Sequence, residues 1–258
     1  MKFDIVIQAG QSNANGCGLG PVSKEYQPTE KIWQLDALKI ATPLPDRMDI
    51  VYLDEPFVLK VAEEVEGENG KMGNFGLTFA EEYIKAGLLE EDRAILIVRA
   101  AVGGTGFCRN EWGLTSLLYT KLKELVDYAL ALNEENRVVA LLWHQGECDS
   151  VEKNPPETFA AQFTEQMLDA RARYGVMPII AGDFVNEWKS KNIEVCTPIV
   201  ETIKKLMVTL GKGAFVETSD LPSNNQKIGN GDDIHFCRES LHILGRRYFQ
   251  AFQNAKNK

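Results

Sequence analysis

No run of apolar residues in the chain approaches the roughly 18 that a membrane-spanning helix requires, which excludes such a span. The opening residues Met1-Lys2-Phe3-Asp4 lead straight into an apolar strand. They lack the basic region, apolar segment and cleavage site of a secretory signal, so cytoplasmic residence is the expectation. Positive charge is short: 28 Lys and Arg face 37 Asp and Glu, a formal net charge of −9, and nucleic acid is not an expected partner. Five cysteines, an odd number, do not complete a disulfide framework and suit a reducing compartment. Linker-like composition shifts, internal repeats and low-complexity tracts are all missing, and a single domain over residues 1–258 is expected. Histidine occurs only 3 times, so any chemistry that needs imidazole has few places to sit.

What is present is a globular composition, with 44 % hydrophobic residues, enough for a sizeable core. Apolar strand candidates recur at residues 4–9, 94–99, 137–143, 177–182 and 213–217. Between and beyond them lie helical periodicities at 75–86, 117–132, 159–174, 198–210 and 238–255. Strands alternating with helices predict βαβ units, hence a mostly parallel sheet covered on both faces, a three-layer αβα sandwich. The segment 16–74 fits this alternation poorly. It carries Pro21, Pro28, Pro43, Pro45 and Pro56, with strand-like pieces such as 49–53, and reads as an elaborated loop beside a site, with a small hairpin.

The segment Ile5-Val6-Ile7-Gln8-Ala9-Gly10-Gln11-Ser12-Asn13 is the most informative. A buried strand ends at a glycine turn and presents a serine at the carboxyl edge of the sheet, where open α/β sheets bind ligands. A hydroxyl there is a poor nucleophile without a base, and Asp232-Asp233-Ile234-His235 offers an acid and an imidazole at the far end of the chain. Imidazole takes and returns a proton near neutrality, and a carboxylate fixes its tautomer. By itself Ser12 reads more readily as a helix N-cap than as a nucleophile. Two more strand ends carry Ala101-Val102-Gly103-Gly104-Thr105 and Trp143-His144-Gln145-Gly146-Glu147. Glycines following a strand invite a nucleotide reading, but this stretch lacks both the G-x-G-x-x-G spacing and a phosphate-loop lysine.

In order, G-Q-S-N, A-V-G-G-T, W-H-Q-G-E and D-x-x-H resemble the motif set of the SGNH-hydrolase superfamily. Within it the chain resembles the carbohydrate acetylesterases grouped as family six, which include acetylxylan esterases and sialate O-acetylesterase-like proteins. The likeness runs from residue 5 to about 248. It implies a five-stranded flavodoxin-like sheet of order 2-1-3-4-5. It implies Ser12 as nucleophile, His235 as base and Asp232, three residues before it, as the orienting acid. The oxyanion donors would be the backbone N–H of Ser12, that of Gly104 (with Gly103 as the alternative) and the amide of Gln145, which stands where the superfamily commonly has asparagine. The implied reaction is hydrolysis of small acyl esters, acetyl above all, on carbohydrate hydroxyls, with no cofactor and no metal. Lysophospholipase or thioesterase activity on the same fold, or a non-catalytic carbohydrate-binding protein, are the alternatives.

Further residues cluster around these motifs. Gln11, Asn13, His144 and Glu147 read as substrate contacts or as props that hold the turns. His144, Glu147, Asp149 and His235 have no zinc-motif spacing. Arg109, Trp112 and Trp188 follow strands on expected mouth loops, where exposed aromatics would stack on sugar faces; ordinary loop packing is the equal alternative. Cys17, Cys108, Cys148 and Cys237 each follow a motif closely, and Cys148 stands where the family usually has serine. They read either as small residues suited to the turns or as thiols around a redox- or metal-sensitive pocket. His242 reads as a helix-face residue, and the oligomeric state is left open.

Overall fold

A run such as Ile5-Val6-Ile7 leaves neither face in water, so it demands a strand covered on both sides. The computed structural model describes residues 1–21, 29–36, 43–44, 47–48, 57–64 and 71–256. In chain order the strands are β1 (Lys2–Gly10), β2 (Gly18–Leu19), β3 (Ile32–Asp36), β4 (Pro43–Leu44), β5 (Arg47–Met48), β6 (Val58–Val61) and β7 (Lys71–Gly73). They continue with β8 (Arg93–Ala101), β9 (Arg137–His144), β10 (Ile179–Gly182) and β11 (Gly213–Val216). The helices are α1 (Ser12–Asn15), α2 (Phe75–Lys85), α3 (Leu117–Ala131), α4 (Glu147–Val151) and α5 (Pro156–Tyr174). After them come α6 (Asn186–Lys191), α7 (Ile193–Thr209), α8 (Asn224–Ile228) and α9 (Arg238–Lys256).

The main sheet has seven strands in the order β11-β10-β9-β1-β8-β3-β6, parallel throughout except where β6 pairs antiparallel with β3. The five strands expected from apolar runs are β1, β8, β9, β10 and β11, and they stand in the expected 2-1-3-4-5 order. The sheet is nevertheless wider than expected. The segment 16–74, read as a loop beside the site, contributes β3 and β6 to the edge beyond β8. Its prolines hid these strands, because proline density signals loops whereas β3 itself contains none. The same segment supplies the small antiparallel pairs β2–β7 and β4–β5, the latter with two residues in each strand. The strand-like piece 49–53 lies outside the described residues.

Two apolar clusters sandwich the sheet. One joins Ile5, Ile7, Leu96 and Leu141 to Leu122 and Leu125 of α3, Phe159 and Phe163 of α5, and Ile199 and Ile203 of α7. The other joins Val6, Ile95, Ile97 and Leu142 to Leu77 and Phe79 of α2 and to Leu241, Leu244 and Tyr248 of α9. Alternate residues of one strand thus fill opposite cores, as the two-residue period of a strand requires. Helix α7 begins five residues ahead of Pro198, where the sequence pattern puts its start; the proline sits inside the helix. Among the described residues, no helix is long and apolar enough to cross a membrane.

The register sets up the site. Gly10 pairs with Ala101 on one side and with His144 on the other. The turns after β1, β8 and β9 therefore leave the sheet at one level, side by side.

Candidate active site

Gly10 takes φ +131°, and a Cβ there would lie 2.1 Å from the carbonyl oxygen of His144. Only glycine allows the first turn this close to β9. The next N–H, of Gln11, donates to that same carbonyl at 3.0 Å. The chain then reverses so that Ser12 opens α1 with 8 % of its surface exposed.

The partner loop is assembled independently. Ser223 and Gln226 form a capping box that starts α8, and the N–H groups of Asn224 and Asn225 donate to the carbonyls of His235 and Asp232, each at 2.8 Å. This folds Asp232-Asp233-Ile234-His235 back over the start of α1. His235 Nε2 lies 2.9 Å from Ser12 Oγ, and His235 Nδ1 lies 2.8 Å from Asp232 Oδ1. The second Asp232 oxygen accepts from the Asn224 amide at 2.8 Å, which holds the carboxylate in the ring plane's reach. Asp233 points elsewhere and pairs with Lys191 at 2.8 Å.

The β8 turn packs on the serine. A Cβ on Gly103 would lie 3.4 Å from the Ser12 Cβ, and Gly104 adopts φ +71°, in the left-handed region. Asp149, fully buried in α4, holds this turn by accepting the N–H groups of Phe107 (3.1 Å) and Cys108 (2.8 Å). It also accepts the Asn154 amide at 2.7 Å and the Gln145 amide at 2.5 Å. The other Gln145 N–H goes to the Thr105 carbonyl at 3.2 Å. Gln145, expected as an oxyanion donor, thus has both N–H groups turned to the β8 turn and α4. An amide reversal would set its oxygen against the Asp149 carboxylate, so the orientation is fixed by charge.

The remaining expected residues fall into two groups. Gln11 accepts the N–H groups of Gly146 (3.4 Å) and Cys148 (3.3 Å), tying the first turn to α4. Asn13 is buried; its amide donates to Glu147 Oε1 and to the Ile234 carbonyl and accepts the Phe236 N–H, each at 3.1 Å. His144 faces away from Ser12, between Phe75, Phe236 and Tyr248, with Nδ1 2.9 Å from the Tyr248 hydroxyl. Burial lowers its pKa to about 3, which keeps the ring neutral. Burial also raises the Glu147 carboxyl to about 7, with the nearby carboxylates of Asp183 and Asp149 adding to the rise against its hydrogen bonds.

Trp112 and Trp188 are not exposed. Trp112 is fully buried, 5.2 Å edge-on to Trp143, and its Nε1 donates to Thr105 Oγ1 at 2.9 Å. Trp188 is 8 % exposed and packs edge-on to Phe184 at 5.9 Å. The expected sugar-stacking surface is absent at both positions, because large indoles that anchor loops gain more by joining the core than by lying in water. Arg109 does reach the surface, donating to the Gly104 carbonyl at 3.2 Å and pairing with Glu152. Of the cysteines, Cys108 and Cys148 meet with sulfurs 3.8 Å apart, and Cys237 contacts Ser240 Oγ at 3.2 Å. The contact with Cys148, together with burial, pushes the Cys108 thiol up. Among the described residues, no cluster of three or more His, Cys, Asp or Glu could hold a metal ion. His242 lies on α9 and pairs with Glu64. Asn224 is a structural member that sequence reasoning missed, although the Ser223–Gln226 capping box was a legible pointer to it; Asp149 was weighed only as a metal ligand, and its role in holding the β8 turn was not foreseen.

The family of carbohydrate esterases described as sialic acid-specific acetylesterases matches residues 2–254. The chain belongs to that family. It is accordingly a carboxylic ester hydrolase. Three solved structures share the fold of this esterase. NanS matches with a TM-score of 0.74 at 18 % identity, over 100 % of this chain and 98 % of that one. An Arabidopsis thaliana protein matches with a TM-score of 0.73 at 19 % identity, over 98 % and 99 %. A carbohydrate acetylesterase from Xanthomonas citri matches with a TM-score of 0.65 at 18 % identity, over 99 % of this chain and 57 % of that one. No curated protein sequence matches the chain.

Proposed function

We propose that this esterase removes acetyl groups from carbohydrate hydroxyls by serine catalysis, with Ser12 as nucleophile, His235 as base and Asp232 as the acid that orients it. The observation that carries the reading is the hydrogen-bonded line from Ser12 Oγ through both His235 nitrogens to Asp232, at 2.9 and 2.8 Å. Ser12 Oγ attacks the acetyl carbonyl carbon as its proton passes to His235 Nε2. The imidazolium that forms is stabilised by Asp232 and returns the proton to the departing sugar oxygen. Water, deprotonated by the same ring, then cleaves the acetyl-serine and releases acetate.

The developing oxyanion needs donors already in place. The backbone N–H of Ser12 belongs to a first helical turn, where N–H groups have no intrahelical acceptor, and Gly104 is carried on the turn packed against Ser12. These two supply the hole in this reading. Gln145 braces the Gly104-Thr105 segment through its bond to the Thr105 carbonyl rather than serving as a third donor. Arg109 offers an exposed cation at the rim for sugar hydroxyls or a sugar carboxylate.

Acetate release tests the proposal, measured on O-acetylated sialic acid and on acetylated xylo-oligosaccharides side by side. Ser12→Ala should lower kcat by about 10⁴-fold or more while leaving the fold intact. A Ser12→Ala protein that keeps wild-type turnover would rule out the assignment, and a wild type that releases acetate from neither sugar would rule out the substrate class.

A further inference from the structure

The catalytic line constrains the His235 ring but leaves unexplained what fixes the backbone from which the ring hangs. Asp232 acts on Nδ1 only, and the loop carrying both residues joins α8 to α9 more than two hundred residues from Ser12 in the chain. The Asn13 side chain, fully buried and used by no chemical step, bonds to the peptides on both sides of His235: it donates to the Ile234 carbonyl and accepts from the Phe236 N–H. Asn13 is also the covalent neighbour of Ser12. A closed ring results, running from Ser12 to Asn13, across two hydrogen bonds to the residues flanking His235, and back through the His235–Ser12 contact.

We propose that Asn13 is the residue that positions the base, setting the distance between His235 and Ser12, and that buried Glu147 holds its amide in the working orientation; this rests on the Ser12–His235 reading above. The chemistry of the three contacts allows one orientation. The amide nitrogen must face Glu147 and the Ile234 carbonyl, and the oxygen must face the Phe236 N–H. Reversing the amide would bring donor against donor at Phe236 and acceptor against acceptor at both other contacts. An aspartate at this position keeps the acceptor for Phe236 but loses both donors and sets a second carboxylate against Glu147. An alanine loses all three contacts and frees the loop. Asn13 touches neither substrate nor the reacting atoms, so its effect passes through His235.

The test compares kcat, KM and the rate at which a fluorophosphonate labels Ser12, each per titrated active site. Asn13→Ala should lower kcat about 10²-fold, the cost of roughly 1 Å of misplacement, with KM changed less than about threefold. Labelling of Ser12 should slow in the same proportion, because the reagent needs the same base. Assayed at about pH 8, above the Glu147 titration near 7, Asn13→Asp should be as slow, and adding Glu147→Gln should recover about tenfold, because the introduced amide gives the new carboxylate a donor in place of a like charge. A residue that merely supports the fold would reduce the number of titratable sites and leave the rate per site unchanged, and that result overturns the proposal. Ser12→Ala separates the two layers: if it is inactive while Asn13→Ala turns over normally, only the positioning role falls; if it is active, the catalytic reading falls first. Should the Asn13 variants not fold, amide exchange in the wild type decides. The Phe236 N–H should be protected as strongly as the amides of β1, and rapid exchange there overturns the clamp.

Discussion

Glu147 makes the stability of this esterase depend on pH in a direction opposite to that of an ordinary paired carboxylate. Its carboxyl is fully buried, accepts one hydrogen bond from Asn13 through Oε1, and has no partner for Oε2 among the described residues. Asp149 and Asp183 face it with like charge, while Cys196 of α7 and Tyr248 of α9 feel its charge as a further rise in their own pKa. Burial, the largest cause, lifts the carboxyl from 4.5 to about 7. The native state therefore keeps its proton over a range in which the unfolded chain has already lost it. This contribution to stability is complete below pH 4.5 and is lost as pH rises through about 7. Each pH unit in that window is worth about 1.4 kcal/mol, so the whole loss is about 3 kcal/mol. Glu147→Gln keeps the acceptor for Asn13 and removes the titration. Any fixed cost of burying the new amide is independent of pH and cancels from the trend. Urea unfolding of both proteins at about pH 4.5, 6 and 8 gives the comparison. The stability of the variant relative to wild type should climb by about 3 kcal/mol across the series, with the slope concentrated between pH 4.5 and 7. A difference that stays constant to within about 0.5 kcal/mol, or one that falls with pH, would refute the buried, proton-holding carboxyl.

Asp232→Asn should cut kcat by about 10⁴-fold, since an amide in that place favours the wrong imidazole tautomer, whereas Asp233→Asn loses only an exposed pair with Lys191 and should stay within about twofold. The reverse order in an acetate-release assay would move the orienting acid to Asp233. At the opposite end of the sheet, Asp4 is fully buried between Arg93 at 2.7 Å, Arg137 at 2.8 Å and the Tyr83 hydroxyl at 2.9 Å. Asp4→Asn leaves the buried Arg93 guanidinium uncompensated and should cost about 3–5 kcal/mol in unfolding free energy. Turnover per folded molecule should be unchanged, and a specific loss of kcat there would contradict the separation of this cluster from the site.

The strands β1, β8, β9, β10 and β11 and their helices were legible because a parallel strand covered on both faces reads as a short continuous apolar run, and the helical periods fall between those runs. The position of Ser12 at a carboxyl edge followed from the same pattern, since Gly10 ends the run. The motif order then pointed to Gly104, Asp232 and His235 before any distance was known. Strands β3 and β6 were hidden because short strands in a proline-rich segment carry little periodicity. The meeting of Ser12 with His235 is a tertiary fact. It depends on α8 folding the last loop back, on Asn224 steering Asp232, and on Asn13 seizing the peptides around the imidazole. Burial was decided there as well. The residues Trp112, Trp188, Gln145 and Glu147 have side chains that suit a pocket wall or a core equally well. Only tertiary packing sends the indoles inward, Trp112 against Trp143 and Trp188 against Phe184, commits both Gln145 N–H groups to the β8 turn and α4, and strips water from Glu147. Sequence specifies which groups are available along the chain, and the surroundings that set their partners, exposure and proton affinity exist only once distant segments are in contact.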